Sequence, residues 1–572
     1  MDEKPTHNAE SVASSSEKNE TEPQRSHSRR SFLKGIGAAG VAAPFVAIAT
    51  KAAARGPTIP DVLSDTHSSQ LDLNGRPKEA YERRVGAAKE DRRIKVPNHP
   101  NNGDEALYPS RIANFTKGFA HNTFGEVDPT VYASYLAAVN TGKRADFDAL
   151  PMGGTEPLVD PQAGLAFDLE TYDASQNSIP PFDTLTSPGL AAQMIEEYWV
   201  ALTRDVPFSQ YATDPTIAAA ASELSGLSAY TGPKIGGKVT TQSVYRGFTA
   251  GDLIGPYISQ FFIQPFNYGV IPFVGYQTTL PGDFGTDAGS WLNIQNGAPA
   301  ALAPSNPDPQ LRYLHTARDL AEYVHNDVLF MEYLNAALML IKMRAPLNSG
   351  NPYPQTIKSE TGFITFGFPM VEVLVAEVIA RALKNSWMQK WFIHRMARPE
   401  ETAGLVHFTI TGQKSYPLDS SVLNSKAAAA VFSRNGNYFI PLSYPEGCPL
   451  HPSYSSGHAT AAGAAVTVLK WFFDETFVIP SPLTTTSDGL SVVPYTGSDA
   501  GKMTVGGELN KLASNVGIGR AMAGIHWRQD IVQGMLLGEA VAISLLTDQA
   551  HLYNENYTGF TFTSFNGTKV TI

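Results

Sequence analysis

Helical periodicity is the sequence feature that most restricts the fold of this chain. Apolar residues recur every three or four positions over long stretches, as on the buried face of an amphipathic helix. The stretches with this pattern are 189–202, 216–227, 318–342, 370–398, 458–473, 508–522 and 528–546. Strand signals are weak, except in the tail 559–572, which alternates and contains Asn566-Gly567, a strong hairpin signal. The sequence therefore predicts a mainly α fold, a helical bundle with a small C-terminal β-hairpin.

Composition agrees with a large helical core joined by long loops. The 572 residues are 42% hydrophobic and 17% charged, and they include 48 Gly and 40 Pro. Such a chain can bury a sizeable core, and its Pro and Gly favour long connections. The net charge of −11 argues against a nucleic-acid partner, because general nucleic-acid binding needs a basic surface. The single cysteine, Cys448, excludes an intrachain disulfide; we expect a buried, inert thiol, with an interchain bridge as the alternative.

The first 54 residues predict an export signal that lies outside the folded domain. Residues 1–27 are polar and predict disorder. Arg29 and Arg30 then precede a mild apolar run over 35–49 and an Ala-x-Ala site at 52–54, the pattern of a twin-arginine signal peptide. A short membrane anchor is the alternative, but a run of about 15 mostly small residues is too short to span a bilayer comfortably. We therefore predict export by the twin-arginine machinery to a periplasmic or extracellular location.

Two further regions follow the predicted signal. Residues 55–102 are polar and contain several prolines, so we predict an extended segment that lies over the surface. Residues 103–572 contain no internal repeat, and we predict that they form one helical domain carrying the functional site.

Three short segments of this domain, 390–399, 451–458 and 520–530, combine residue types that bind an oxyanion. Together they supply a candidate set of three cations, one hydroxyl, one glycine amide and two imidazoles: Lys390, Arg398, Arg520, Ser456, Gly457, His458 and His526. A single Lys, Arg or His is usually a solvated or structural residue, so each segment alone also fits an ordinary helix terminus. The combination indicates a pocket for a tetrahedral oxyanion.

Local structure supports such a pocket. Lys390 and Arg398 are separated by about 12 Å of helical rise. We expect the helix to end at Arg398, because the proline that follows disfavours helix there. Gly457 lies at the start of an alanine-rich helix, where unpaired amides and the helix dipole favour an anion. Asp530, four residues after His526, is placed to orient the second ring nitrogen of that histidine.

The spacing of these residues resembles a known signature. Lys-x7-Arg-Pro, Ser-Gly-His and Arg-x5-His-x3-Asp, in this order, are similar to the motifs of the vanadium-dependent haloperoxidases and the related type 2 phosphatidic acid phosphatases. The segments that begin at Trp387, His451 and Gly524 resemble the algal-type bromoperoxidase branch, and the similarity extends over roughly residues 312–572. The Lys–Arg gap and His451 favour this branch, because chloroperoxidases and phosphatases usually have a shorter gap and chloroperoxidases tend to carry an aromatic residue in place of this histidine.

The resemblance implies a fold, a cofactor and substrates. It implies a helical bundle of the haloperoxidase and acid-phosphatase kind, with vanadate bound where a phosphate would sit. Hydrogen peroxide and bromide or iodide would be the substrates, and the hypohalous acid would halogenate small organic acceptors. Vanadium would act as a Lewis acid without a change of oxidation state. The resemblance also implies a homodimer or a larger homo-oligomer.

Roles for individual residues follow from the same resemblance. The residues expected to bind the vanadate oxygens are Lys390, Arg398, Ser456, Gly457 and Arg520. His526 is expected to bind vanadium, and His458 to act as the acid–base group. Lys390 is also expected to polarise bound peroxide, and His451 to tune the site by hydrogen bonding. Asp327, on the predicted helix 318–342, resembles a carboxylate that supports the site histidines.

Two other functions fit the same pocket. An exported acid phosphatase or phosphotransferase would use His526 as the nucleophile and His458 as the general acid. A phosphate-binding or structural protein would need neither histidine as a catalytic group. Phosphatase turnover without vanadate-dependent bromination indicates the first, and oxyanion binding without either activity indicates the second. The halide preference and the organic acceptor are left open by the sequence.

Overall fold

Helices provide most of the regular structure, as predicted. The computed structural model describes residues 73–298, 306–353 and 356–572, so the predicted export signal lies outside the described residues. The α-helices of ten or more residues are Arg76–Asp91, Pro129–Thr141, Pro188–Thr203, Pro215–Gly226, Met331–Lys342, Phe368–Met388, Pro399–Ile410, Lys426–Asn435, Gly457–Phe472, Val505–Met522 and Arg528–Ala550. Shorter α-helices are Asp104–Leu107, Arg144–Asp148, Gln260–Ile263, Ala288–Gln295, Ala317–Tyr323 and Ser420–Leu423. Most of the predicted helical stretches coincide with one of these helices.

Strands are short and form four antiparallel pairs in the described ranges. The pairs are Asn267–Tyr268 with Ile271–Pro272, Tyr276–Thr279 with Pro307–Arg312, Leu483–Thr485 with Val492–Pro494, and Thr561–Thr563 with Lys569–Thr571. The last pair is the predicted C-terminal hairpin, in which Phe562 lies opposite Val570. Gly567 has a φ of +80° in its turn, a conformation that glycine adopts readily. This hairpin prediction is confirmed.

The Gly457–Phe472 helix lies at the centre of the bundle. It packs against the Phe368–Met388, Val505–Met522 and Arg528–Ala550 helices, and nearly all of its residues are buried. Glycines bring two of these backbones into contact. A Cβ on Gly463 would lie 2.1 Å from the Met535 carbonyl oxygen, and one on Gly538 would lie 2.0 Å from that of Thr460. Larger residues would push the helices apart and move the start of the central helix.

The Arg528–Ala550 helix is long and apolar enough to cross a membrane, judged by length and composition alone. In its most apolar window, 72% of the helix is buried inside the protein. Its apolar character therefore matches that of a core helix packed on the central helix.

The predicted helix 318–342 is wrong as a single element. The chain forms two helices, Ala317–Tyr323 and Met331–Lys342, with an irregular segment between them. In that segment the His325 ring pairs with Glu446 at 2.6 Å, and the Asp327 carboxylate contacts the His458 ring at 3.1 Å. These tertiary contacts replace the helical continuation that the apolar spacing predicts. Asp327 therefore lies in a loop, not on a helix.

The predicted helix 370–398 also ends early. The α-helix stops at Met388 and continues as a π-helical turn, Gln389–His394. Arg395 then takes a left-handed conformation with a φ of +45°. Its guanidinium pairs with Glu105 (Nε–Oε1 2.7 Å), and its carbonyl accepts a hydrogen bond from the Phe115 amide. These contacts of Arg395 with the N-terminal part of the domain accompany a reversal of the chain that precedes Pro399, the residue expected to end the helix.

The prediction of an extended segment over residues 55–102 is wrong for Arg76–Asp91, which is helical. A proline in the first turn suits a helix start, since that position needs no amide donor. Glu79 and Arg83 also pair across one turn at 2.6 Å. No residue of this helix is buried, which agrees with a position on the surface. Arg83 ties it to the domain by donating to the His551 carbonyl oxygen at 2.8 Å.

Candidate active site

The fold brings the three sequence segments together at the start of the central helix. Arg398 links them directly. Its guanidinium donates to Nε2 of His526 at 2.7 Å and to Nδ1 of His451 at 3.0 Å. The Ser456 amide donates to the carbonyl oxygen of Asp530 at 3.1 Å, which joins the second segment to the third.

The π-helical turn explains how Lys390 and Arg398 reach one site. A straight α-helix would hold them about 12 Å apart along its axis. After the reversal at Arg395, Arg398 is extended (φ −91°, ψ 162°) and begins the Pro399–Ile410 helix. Lys390 Nζ then donates to the carbonyl oxygens of Pro452 and Ser453, both at 2.7 Å, next to the carbonyl groups that Arg398 contacts.

The three cations are buried and have no carboxylate partner in the described part of the chain. Lys390 and Arg398 are fully buried, and Arg520 is 6% exposed. Arg398 donates to the carbonyl oxygens of His451 and Ile525. Arg520 donates from Nη1 to the Val324 carbonyl oxygen at 2.6 Å and to the Tyr444 hydroxyl at 3.3 Å, while its Nε is buried without a partner.

The electrostatics of the three cations indicate that the site lacks a negative charge. Burial, and then the charge of Arg398, hold the pKa of Lys390 well below its usual range. Among the described residues, these three buried cations donate to neutral oxygens and imidazole nitrogens and repel one another, and a buried charge is stable only when it is paired. A multiply charged anion among these side chains would remove the repulsion and satisfy the free Nε–H of Arg520. The cation set therefore fits a bound oxyanion.

His526 presents one nitrogen to the same place. Its Nδ1 lies 2.6 Å from Oδ2 of Asp530, the contact expected from the sequence. Because a carboxylate accepts, Nδ1 carries the proton and Nε2 keeps a lone pair, to which Arg398 donates. Burial, and then the charge of Arg398, lower the pKa of His526 well below its usual range, so the ring is neutral. Nε2, which accepts from Arg398 in this structure, is therefore the ring atom whose lone pair could bind a Lewis-acidic atom.

Asp530 is held firmly in this role. Its Oδ2 accepts hydrogen bonds from the Ser453 hydroxyl and from the Trp527 amide at 3.0 Å. Burial raises the pKa of Asp530 to about 6. The side chain therefore orients His526 and shares its negative charge with several donors.

Ser456 and Gly457 form the entry to the central helix. Ser456 caps the helix, accepting from the Ala459 amide at 3.3 Å. The first amides of a helix have no intrahelical acceptor, and with the helix dipole they favour an anion. A Cβ on Gly457 would come within 3.1 Å of the Trp387 ring, so glycine keeps this entry open.

His458 and His451, the other two histidines of the second segment, have different partners. His458 Nε2 contacts Oδ1 of Asp327 at 3.1 Å, and burial lowers the pKa of the imidazole. His451 lies against the Trp387 ring, with centroids 4.8 Å apart, and burial followed by the charge of Lys390 lowers its pKa strongly. Trp387 therefore packs against His451 beside the start of the central helix.

The donor set does not suit a metal cation. No group of three or more His, Cys, Asp or Glu side chains is arranged to hold a metal ion within the described ranges. Cationic side chains dominate the site instead, and they would repel a free metal ion. Vanadate fits, because it is an oxyanion that needs cations and amides for its oxygens and one nitrogen for its central atom.

Comparison with known proteins identifies the family. A vanadium-dependent bromoperoxidase of Ascophyllum nodosum is 36% identical over 531 residues, covering 88% of this chain and 94% of that protein. One of Corallina pilulifera is 34% identical over 600 residues, covering 88% of this chain and 99% of that protein. This chain belongs to the vanadium-dependent bromoperoxidases. The resemblance drawn from the three motifs is thereby confirmed.

A solved bromoperoxidase structure shares the whole architecture. The second vanadate-dependent bromoperoxidase (AnII) of Ascophyllum nodosum, a homohexamer, aligns with a TM-score of 0.83 at 30% identity. The alignment covers 90% of this chain and 95% of that one. Residues 373–555 match the family model of the VCPO second helical-bundle domain. That stretch holds the three motif segments, whereas Asp327 precedes it.

Several residues of the bromoperoxidase site were not expected from the sequence. Tyr444 meets Arg520, Ser453 meets Asp530, and Glu332 lies behind Asp327. Ser453 lies within the second motif, so its position was a usable signal. Tyr444 and Glu332 carry no local signal, because only the packing of distant segments brings them to the site.

Proposed function

We propose that this protein is a vanadate-dependent haloperoxidase that oxidises bromide and iodide with hydrogen peroxide to hypohalous acid. Small organic acceptors are then halogenated by that acid. One observation carries the proposal: three buried cations, which have no carboxylate partner among the described residues, act on a neutral histidine whose Nε2 accepts from Arg398. The bromoperoxidase relatives support it at 34–36% identity over most of the chain.

Each site residue has a definite task in this reaction. Bound vanadate supplies a Lewis acid that polarises peroxide. Lys390, Arg398, Arg520, Ser456 and the Gly457 amide would hold the oxygens of the anion. His526 Nε2 would bind vanadium, with Asp530 fixing the tautomer of this histidine. His458, backed by Asp327, would take a proton from peroxide and pass it to the hydroxide that peroxide displaces, which leaves as water, and His451 would adjust the hydrogen bonding of Arg398.

Removal of the cofactor tests the proposal. Protein freed of vanadate should show no bromination with bromide and peroxide, and added vanadate should restore it. Excess phosphate should compete, because both are tetrahedral oxyanions that fit one cationic pocket. The assay measures bromination of a phenol-type dye, with phosphatase turnover measured in parallel. Recovery with iron or haem but not with vanadate would contradict the assignment, and phosphatase turnover without bromination would favour the phosphoryl-transfer alternative.

We also propose export by the twin-arginine route to a periplasmic or extracellular location. The support is the Arg29-Arg30 pair before an apolar run and an Ala-x-Ala site. Changing both arginines to Lys should retain folded, vanadate-activated protein inside the cell. Fractionation followed by the bromination assay measures this. Unchanged export of the double variant would exclude the twin-arginine route and leave the chemistry untouched.

We propose that the protein functions as a homo-oligomer, a dimer or larger. The support is the homohexameric state of the related AnII enzyme, which aligns over 90% of this chain. Light scattering from the purified protein gives the number of subunits, and a monomer at micromolar concentration would contradict the proposal.

A further inference from the structure

Behind His458 lie two buried carboxyl groups, those of Asp327 and Glu332. Oδ1 of Asp327 contacts Nε2 of His458 at 3.1 Å. Oδ2 of Asp327 and both carboxyl oxygens of Glu332 are buried and receive no N–H or O–H donor from the described residues. Glu332 is 1% exposed. A buried acceptor without a donor is costly, so three such oxygens in one place require an explanation.

A direct interaction between the two carboxyl groups accounts for these oxygens without donors. A side-chain hydrogen bond between the two groups lowers the pKa of Asp327 and raises that of Glu332. Two ionised carboxylates cannot form such a bond, because both groups only accept. One proton between them turns repulsion into a hydrogen bond to an ionised acceptor, which is among the stronger kinds. Both the Glu332 carboxyl and Oδ2 of Asp327 then gain a partner.

The surroundings decide which of the two holds the proton. Burial, and then the Asp327 charge, raise the pKa of Glu332 well above its usual range. For Asp327, burial raises the pKa, but the charge and hydrogen bond of His458 outweigh that effect, and Arg520 lowers the pKa further. The other titratable side chains whose pKa Glu332 influences are tyrosines: Tyr268, Tyr276, Tyr323 and Tyr333. Tyrosines supply no positive charge, so the neutral acid is Glu332.

We propose that Glu332 is a positioning residue, a protonated carboxylic acid that donates a hydrogen bond to Asp327 and thereby holds this carboxylate against His458. The line Glu332–Asp327–His458 fixes the orientation of the imidazole. It also draws negative charge away from the Asp327 oxygen that faces the ring. Glu332 reaches the reacting atoms only through the other two residues.

Two variants of Glu332 with side chains of similar size separate the effect of its hydrogen bond to Asp327 from the effect of its packing. Glu332→Leu removes the donor, and Glu332→Gln keeps an N–H donor in its place. We expect the Leu variant to lose about tenfold in kcat, since a hydrogen bond to a charged group is lost. The pKa that the pH dependence of kcat assigns to His458 should rise by about half a unit or more, because Asp327 then presents a more concentrated negative charge. The Gln variant should stay within about twofold of wild type, with an unshifted profile.

A background substitution tests whether Glu332 acts through Asp327. In Asp327→Asn protein, adding Glu332→Leu should change kcat by less than about twofold, because the shared partner is already neutral. A full tenfold loss in that background, or equal losses in the Gln and Leu variants, would overturn the proposal. An unchanged kcat and pH profile in Glu332→Leu would do the same.

An infrared measurement tests the proton directly and does not need turnover. The difference spectrum between vanadate-free wild type and Glu332→Gln at pH 7 should contain the carbonyl stretch of a protonated carboxylic acid. Its absence shows that Glu332 is ionised, and the proposal then fails. The activity arm rests on the proposed haloperoxidase function, whereas the infrared arm does not. A protein that fails to brominate but shows the band refutes the function alone.

Discussion

Replacing His526 by Ala should abolish bromination and reduce vanadate affinity by at least about a hundredfold. Loss of a partner that only supports a metal ligand costs about 10–100-fold in metal affinity, and His526 is the proposed ligand itself, so its loss should cost at least as much. The substitution also leaves Asp530 without the Nδ1–H donor at 2.6 Å and Arg398 without one of its acceptors, at 2.7 Å. Titration calorimetry of vanadate into the apo-protein measures the affinity, and added vanadate at saturating concentration shows whether any turnover returns.

His407 provides a matched control for this experiment. It is also a buried histidine, 7% exposed, but its ring stacks on Phe439 at 4.2 Å, outside the cluster of cations. His407→Ala should cost stability and leave vanadate affinity unchanged. Full vanadate binding by His526→Ala would show that another group is the ligand, and His458 would be the first candidate.

Replacing His458 by Ala should separate binding from turnover. The three cations, Ser456 and His526 remain, so vanadate should still bind, within about tenfold of wild type. Bromination should fall by about 10²–10⁴-fold, the usual contribution of a general acid–base group. The expected signature is therefore a large loss of kcat at saturating vanadate. Intact turnover under that condition would refute the acid–base role.

Asp327→Asn gives a graded comparison with His458→Ala. It keeps the shape of the side chain but removes the charge that contacts His458 Nε2 at 3.1 Å. We expect a smaller loss of kcat than in His458→Ala and a lower His458 pKa in the pH profile, because the negative charge that favours the protonated ring is gone. A loss equal to that of His458→Ala would mean that Asp327 has a further task at the site.

The sequence by itself determined the chemical class of the site and most of the helices. Three motifs identified the cations, the helix start and the two histidines, because an oxyanion pocket needs particular residue types and these types lie in short, recognisable segments. Long apolar periodicity predicted the helices of the bundle, and alternation with Asn566-Gly567 predicted the terminal hairpin. The contact between Asp530 and His526 was predictable too, since a polar side chain in the first turn of a helix reaches back to the residues just before that helix.

Only the tertiary structure decided how the site residues come together. The spacing between Lys390 and Arg398 predicts a straight helix, yet Glu105, which comes from a distant part of the chain, binds Arg395 and turns it back. The break between Ala317–Tyr323 and Met331–Lys342 likewise depends on Glu446 and His458, to which loop side chains bind. Periodicity reports only neighbours within a few turns. Contacts between distant segments leave no local pattern, so the fold alone places Tyr444 against Arg520 and Asp327 against His458.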